Sequence, residues 1–199
     1  MIAGLSFAAF DIETANPSWG SICSIGVATV RDGRLVSARS WLCRPPSALD
    51  HFAERNVQIH GIRPGMVSDA PAFAQRLPEV LREVGDLPVV AHNAKFDMGN
   101  VHRACGYSGV TTPDWRFGCS CEWSRRQLST LANHKLKTVT RALGVELKSH
   151  HEAAADAAAA AEITIKLADL SGARNLTELA RATGTRLGRM THAGVVSCR

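Results

Sequence analysis

The order of apolar and polar positions predicts strands first and helices later in the chain. Residues 5–12 are short and apolar on both faces, which is typical of a central strand covered on both sides. Two β-rich runs follow at residues 22–30 and 35–42. The segment Arg31-Asp32-Gly33-Arg34 between them predicts a hairpin turn.

After residue 69 the spacing of apolar positions predicts helices that alternate with short buried strands. The strands are expected at residues 87–91 and 117–119. Residues 45–69 and 107–116 are expected to be long loops. The predicted helices cover residues 70–84 with Asp69 as N-cap, 95–105, 121–131, 136–143, 152–170, and a short last helix opened by the capping pattern from Asn175 to Glu178. Strand and helix together predict an α/β fold around one mixed sheet.

The composition fits one globular domain and excludes disordered, collagen-like and membrane classes. The chain has 199 residues, of which 45% are hydrophobic and 21% charged. The longest uncharged stretch, residues 14–30, contains Asn16, Pro17 and Gly20, so no membrane span is expected. Because the first residues lack the basic start of a signal peptide, a soluble, cytoplasmic protein is expected. The six cysteines lack paired CxxC spacing and are interpreted as free thiols.

The positive charge is concentrated at the C-terminus. Of the net charge of +5, residues 172–199 carry +4, and residues 1–171 carry only +1. We therefore expect a main domain at 1–171 and a basic C-terminal helical extension or tail at 172–199. Two interpretations are equally open: a surface that binds backbone phosphates or a partner, and a solvated terminal helix.

The first chemical motif is a pair of carboxylates on the first strand. Asp11 and Glu13 stand two positions apart, so both leave one face of the strand while Ile12 enters the core. Two crowded anions call for a counter-charge, and hard oxygen ligands suit Mg²⁺ or Mn²⁺. The alternative is a strand end with two solvated acids.

A second motif follows the strand at residues 87–91. His92 and Asn93 stand at the mouth of the next helix, with Phe96 and Asp97 in its first turn. Separately, these residues also fit structural roles, with Asn93 as a helix cap, Phe96 in the core and Asp97 at the positive end of a helix.

The third motif joins His151 to Asp156 at the start of the alanine-rich helix. Five helical residues turn a side chain by about 140°, so the two share a site only if His151 lies in the preceding loop. The alanines at 153–155 and 157–161 keep the helix slim enough to pack closely on the sheet, although they also simply favour helix.

Taken in this order, the three motifs resemble those of the DEDDh 3′–5′ exonucleases, whose histidine spacing the third motif matches. The resemblance covers residues 5–170. The runs at 59–62 and 67–71 are similar to the proofreading epsilon subunit of bacterial DNA polymerase III and its stand-alone relatives. The resemblance implies a ribonuclease-H-like fold, with a five-stranded mixed sheet and helices on both sides.

The same resemblance implies a metal-dependent 3′–5′ exonuclease that hydrolyses terminal phosphodiesters of single-stranded DNA in proofreading or repair and releases nucleoside 5′-monophosphates. It implies two Mg²⁺ or Mn²⁺ ions as cofactors and His151 as general base. His150, six residues before Asp156, is the alternative base. The implied metal ligands are Asp11, Glu13, Asp97 and Asp156.

Substrate contacts are implied at four positions that line the terminal-nucleotide pocket of the family: Thr14, His60, Asn93 and Phe96. Tryptophans are further candidates for base stacking, although core or rim packing is favoured for most of them: Trp19, Trp41, Trp115 and Trp123.

Two other functions stay open. The same chemistry applies to RNA ends or short oligoribonucleotides, and a non-catalytic module associated with a polymerase is the less favoured reading. The expected partners are single-stranded 3′ ends, with DNA favoured over RNA, and a DNA polymerase subunit. The sequence leaves the oligomeric state open.

Overall fold

The apolar runs of the N-terminal third form three long antiparallel strands: β1 (Phe7–Thr14), β2 (Ile22–Arg31) and β3 (Arg34–Leu42). The computed structural model describes residues 2–198. Asp32 and Gly33 connect β2 and β3 with φ angles of 48° and 70°, as a two-residue hairpin turn requires. The three predicted strands and the turn are therefore confirmed.

Four shorter strands complete the sheet: β4 (Val89–Ala91), β5 (Trp115–Cys119), β6 (Gly188–Thr191) and β7 (Gly194–Val196). β4 pairs in parallel with β1, and β5 pairs in parallel with β4. β6 and β7 form a hairpin, in which β6 pairs antiparallel with β5. The order is β3-β2-β1-β4-β5-β6-β7.

The expectation of five strands is therefore wrong, because the sheet has seven. The two additional strands come from residues 188–196, within the segment expected to be a helical extension or tail. Four and three residues long, β6 and β7 are too short to show a β-rich pattern. Among the described residues of this segment, Arg174 pairs with Glu178 at 3.4 Å and Arg189 with Asp114 at 2.6 Å.

Eight α-helices connect and cover the strands within residues 2–198: α1 (Glu54–His60), α2 (Pro64–Val67), α3 (Phe73–Val84), α4 (Ala94–Ser108), α5 (Ser120–Gln127), α6 (Leu136–Leu143), α7 (Ala153–Ser171) and α8 (Leu176–Ala182). Asn175 caps α8, as predicted. Asp69 does not cap α3, because Pro71 keeps the preceding residue extended and the helix starts after Ala72. The expected loop at 45–69 contains α1 and α2.

The helices form one layer on each face of the sheet. Side chains of α3 and α4 join Phe10 and Ile12 in one core cluster, and those of α5 to α8 join Phe7 and Ala9 in the other. Alternation along β1 therefore turns Asp11 and Glu13 towards the layer that contains α7. Within residues 2–198, no helix is long and apolar enough to cross a membrane.

Helix α7 touches the sheet at its first residue. A Cβ atom on Gly26 would lie 2.0 Å from the carbonyl oxygen of Ala153, so this contact is possible only for glycine. Gly26 is the register partner of Asp11 on β2. The close approach therefore brings the first turn of α7 beside the acidic pair of β1.

Candidate active site

Three carboxylates from the two ends of the chain meet at the carboxyl end of β1. One oxygen each of Asp11, Glu13 and Asp156 lie within 4.8 Å of one another. Glu13 and Asp156 are buried, with 8% and 4% of their surface exposed. The structure therefore brings together the predicted acids of the first and third motifs, and the alternative of a solvated strand end does not hold.

The fourth acid, Asp97, comes from the first turn of α4 and is 2% exposed. Helix α4 follows β4, the parallel neighbour of β1, so its first turn lies at the same edge of the sheet as Asp11. Asp97 is close enough to Asp11 to be the strongest charged influence on the pKa of Asp11.

The electrostatics of the four acids are unfavourable without a cation. Burial, followed by repulsion from Asp97 and Glu13, raises the pKa of Asp11 well above its usual range. Burial, followed by repulsion from Asp156 and Asp97, raises the pKa of Glu13 to about 8. Burial likewise raises the pKa of Asp97. Clustered hard oxygen donors of this kind fit Mg²⁺ or Mn²⁺ and do not fit softer metals.

The metal-free protein is expected to lose stability as the pH rises. The pKa of Glu13 is about 8 in the fold against an ordinary 4.5, so the folded state holds an additional proton between these values. This contribution to stability is present below about pH 4.5 and is lost as the pH rises through 8. Because Mg²⁺ binds the ionised carboxylates, its addition should raise Tm more at high pH than at low pH.

Thermal unfolding at about pH 5 and about pH 8, with Mg²⁺ or with EDTA, measures this difference. Glu13→Gln is the matched variant, since it removes one titrating group from the cluster and should reduce the pH dependence of the metal-free Tm. An equal rise of Tm on adding Mg²⁺ at both pH values would contradict the expectation.

Two adjacent histidines border the acids at the turn before α7. His150 Nδ1 lies 3.1 Å from Asp156 Oδ2, and the backbone N–H of His151 donates to the same oxygen at 3.0 Å. The two rings are stacked, with centroids 3.7 Å apart. Since α7 begins at Ala153, His151 lies outside the helix, as the hypothesis of a shared site requires.

His151 is the less engaged of the two histidines. Burial and the neighbouring His150 lower the pKa of His151, partly offset by Asp156, so its imidazole is neutral at pH 7. Burial, with a smaller influence from His151, lowers the pKa of His60. The geometry keeps both His150 and His151 beside the acids.

Thr14 and His60, two of the residues expected to contact the substrate, lie together. His60 Nε2 lies 3.1 Å from the carbonyl oxygen of Thr14, and His60 Nδ1 accepts from the N–H of Ile62. Both ring nitrogens of His60 are therefore engaged with the backbone. Asn56, which sequence reasoning missed, donates to the same carbonyl and to the Thr14 hydroxyl at 2.9 and 3.1 Å. No sequence pattern marks that contact, since it joins α1 to the end of β1.

Asn93 and Phe96 lie at the start of α4. Asn93 occupies the N-cap position with a φ of 77°, and its side chain makes no cap hydrogen bond. Phe96 is 37% exposed and meets Trp19 edge to face, with centroids 6.3 Å apart. Trp115 and Trp123 are buried in the two core clusters, as favoured for most of the tryptophans.

A family model described as "Exonuclease" matches residues 8–164, which include every acid of the site and both histidines. The chain belongs to this exonuclease family. The recognition made from the three sequence motifs, and with it the expectation of an enzyme, is thereby confirmed.

The relatives of the exonuclease include DNA polymerases. The DNA polymerase III PolC-type of Caldanaerobacter subterraneus subsp. tengcongensis is 32% identical over 163 residues, covering 81% of this chain. That of Oceanobacillus iheyensis is 31% identical over 167 residues, again covering 81% of this chain. The chain spans only 11% of the length of these curated relatives.

Solved structures with the same fold cover nearly the whole exonuclease. Exonuclease X in complex with 5′ overhanging duplex DNA matches with a TM-score of 0.72 and 25% identity, covering 89% of this chain and 99% of that one. The nuclease domain of a DEDDh family member bound to rAMP has a TM-score of 0.69 at 15% identity, covering 83% and 91%. The second likeness shows the fold alone.

Proposed function

We propose that the exonuclease removes nucleotides from the 3′ ends of single-stranded DNA and releases nucleoside 5′-monophosphates. The observation that carries the proposal is the convergence of Asp11, Glu13 and Asp156 within 4.8 Å, with buried Asp97 beside Asp11. Four acids without a counter-charge match a site for divalent cations and a phosphodiester. The curated relatives are DNA polymerases, and Exonuclease X was solved with DNA, which supports DNA as substrate.

The acids would hold two Mg²⁺ or Mn²⁺ ions. Asp11 is central, because the carboxylates of Glu13, Asp97 and Asp156 all raise its pKa. Glu13 and Asp156 share one side with Asp11, and Asp97 approaches from α4. When bound, such ions neutralise charge on the reacting phosphate and make a water molecule more acidic.

The remaining residues bind the terminal nucleotide and move a proton. Neutral His151 accepts a proton from the attacking water as general base, while the backbone N–H of the same residue holds Asp156 in place. Thr14 and the ring face of His60 line one side of the pocket, and Asn93 and Phe96 line the other. Stacking on His60 and Phe96 is independent of base identity, which suits an enzyme that digests any sequence.

RNA is the second candidate substrate, because the proposed chemistry acts on the phosphodiester that DNA and RNA share. A polymerase partner, a cytoplasmic location and the division into residues 1–171 and 172–199 stay predictions. Each is compatible with a proofreading domain related to PolC-type polymerases.

Matched single-stranded DNA and RNA oligonucleotides test the proposal. With a 5′ label, Mg²⁺ or Mn²⁺ should produce a ladder of shortening products, and a 3′ label should be released at once as a mononucleotide. EDTA should stop both, and DNA should be digested faster than RNA. Faster digestion of RNA would favour the second substrate, and binding without any digestion would support the non-catalytic module.

A further inference from the structure

The solvent-facing side of α4 carries a stripe that continues away from the acids. Lys95, Gly99, Arg103 and Tyr107 recur every four residues and share one side of the helix. Lys95, Arg103 and Tyr107 are exposed, while the opposite side of α4 packs into the core. Asp97 belongs to that inner side, so α4 joins the acidic site to the stripe.

A tryptophan is fixed over the middle of this stripe. A Cβ atom on Gly99 would lie 2.0 Å from the indole of Trp19, so the ring rests directly on the helix backbone. The loop that carries Trp19 is held by a hydrogen bond from the N–H of Gly20 to Asn100 Oδ1 at 2.8 Å. Trp19 nevertheless remains 44% exposed. Holding a large aromatic ring both fixed and exposed is typical of a ligand contact.

The β6–β7 hairpin forms the far wall of a groove along the stripe. His102 Nε2 lies 3.4 Å from the carbonyl oxygen of His192 in the hairpin turn. Between α4, Trp19 and the hairpin there is a groove of about 880 Å³, here named the α4 groove, whose hairpin wall is Gly194, Val195 and Ser197. Of the described residues that line it, none is acidic.

The α4 groove has two properties of sites that bind single-stranded nucleic acid, namely positive charge and exposed aromatic rings. Lys95 and Arg103 lie about 12 Å apart along the helix, since each residue rises about 1.5 Å, so they can contact different phosphates of one strand. Trp19 and Tyr107 supply faces on which bases of any sequence can stack. The groove begins beside Phe96, which the proposed function places in the terminal-nucleotide pocket.

We propose that the α4 groove binds the nucleotides that precede the terminal one on the substrate strand. This inference rests on the proposed function. Lys95 and Arg103 contact the backbone phosphates, and Trp19 stacks on a base. Because the contacts are with phosphates and base faces, the groove accepts DNA and RNA alike.

The double variant K95Q/R103Q tests the phosphate contacts, with K137Q/R141Q as control. The control also removes one lysine and one arginine from an exposed helix face, but α6 lies on the other side of the sheet. Binding of a fluorescent single-stranded oligonucleotide is measured by anisotropy in EDTA over a range of salt concentrations. K95Q/R103Q should reduce the slope of log K against log salt by about 1.4, at about 0.7 for each phosphate contact.

Trp19→Ala tests the stacking contact by a change that leaves the charge intact. It should weaken binding about 5- to 150-fold without changing the salt slope. In digestion assays, both K95Q/R103Q and Trp19→Ala should lower kcat/KM for a long oligonucleotide more than for a dinucleotide. DNA and RNA oligonucleotides should lose affinity equally.

The two proposals fail in different ways. If the wild type digests oligonucleotides but K95Q/R103Q and its control bind them equally with the same salt slope, the α4 groove is not the binding site. If the wild type digests nothing and K95Q/R103Q still loses affinity relative to its control, the groove stands and the proposed function is wrong. A loss of kcat/KM that is confined to the dinucleotide would also contradict the proposed role of the α4 groove.

Discussion

Asp11→Asn is expected to lower the turnover of 3′-terminal nucleotides by at least about 1,000-fold, which corresponds to about 4 kcal/mol in the barrier. The reason for this large loss is the position of Asp11 among the other acids. One oxygen of Asp11 lies within 4.8 Å of Glu13 and Asp156, and Asp97 raises the pKa of Asp11, so both proposed cation positions would depend on this carboxylate. Asparagine keeps the shape of the side chain and removes its charge. The measurement is kcat for mononucleotide release with saturating Mg²⁺.

Asp114→Asn is the matched control for Asp11→Asn. Asp114 is an exposed aspartate that pairs with Arg189, away from the acids, and its replacement should leave turnover within about twofold. Asp11→Asn should also unfold at a temperature no lower than the metal-free wild type, because it relieves repulsion. Retention of more than a tenth of wild-type turnover by Asp11→Asn would contradict the central role of this carboxylate.

His151→Ala is expected to lower turnover by about 10²- to 10⁴-fold, the usual contribution of a general base. Mn²⁺ affinity should stay close to that of the wild type, since the contact of His151 with Asp156 is made by its backbone N–H, which alanine retains. Turnover and Mn²⁺ binding are measured on the same preparation. Loss of Mn²⁺ binding by His151→Ala would contradict the assignment of His151 as general base.

His150→Ala provides the comparison that separates the two stacked histidines. Its ring contacts Asp156 directly, so its removal costs a hydrogen bond and should lower turnover by about tenfold or less. A larger loss for His150→Ala than for His151→Ala would make His150 the base. Thermal unfolding of both variants, measured beside turnover, separates a folding defect from a loss of catalysis.

The acidic site could be predicted from the sequence because each of its pieces is local. Alternation along β1 puts Asp11 and Glu13 on one face, and Asp97 follows a short strand into the first turn of a helix. The choice between His150 and His151 could not be predicted, because both precede the first residue of α7 and helical geometry does not apply there. Only the turn itself, with a φ of 70° at His151, decides where the rings lie.

Tertiary contacts explain what the sequence could not provide. β6 pairs with β5 and β7 with β6, and this ladder stabilises two strands that are too short to show a β-rich pattern in the sequence. Trp19 was one of four tryptophans with no distinguishing pattern, and its exposure depends on Gly99 lying far along the chain. The bond between His60 and Thr14 likewise joins separate elements.

The contact of Gly26 with Ala153 also bears on the stage of synthesis at which the acidic site becomes complete. Asp156 reaches the other acids only after α7 has docked on β2, and α7 is the last long helix to be synthesised. A nascent chain that ends before α7 carries Asp11, Glu13 and Asp97 but lacks Asp156, which completes the group of carboxylates within 4.8 Å of one another. Nuclease action is therefore expected only once α7 has been synthesised and has docked on the sheet.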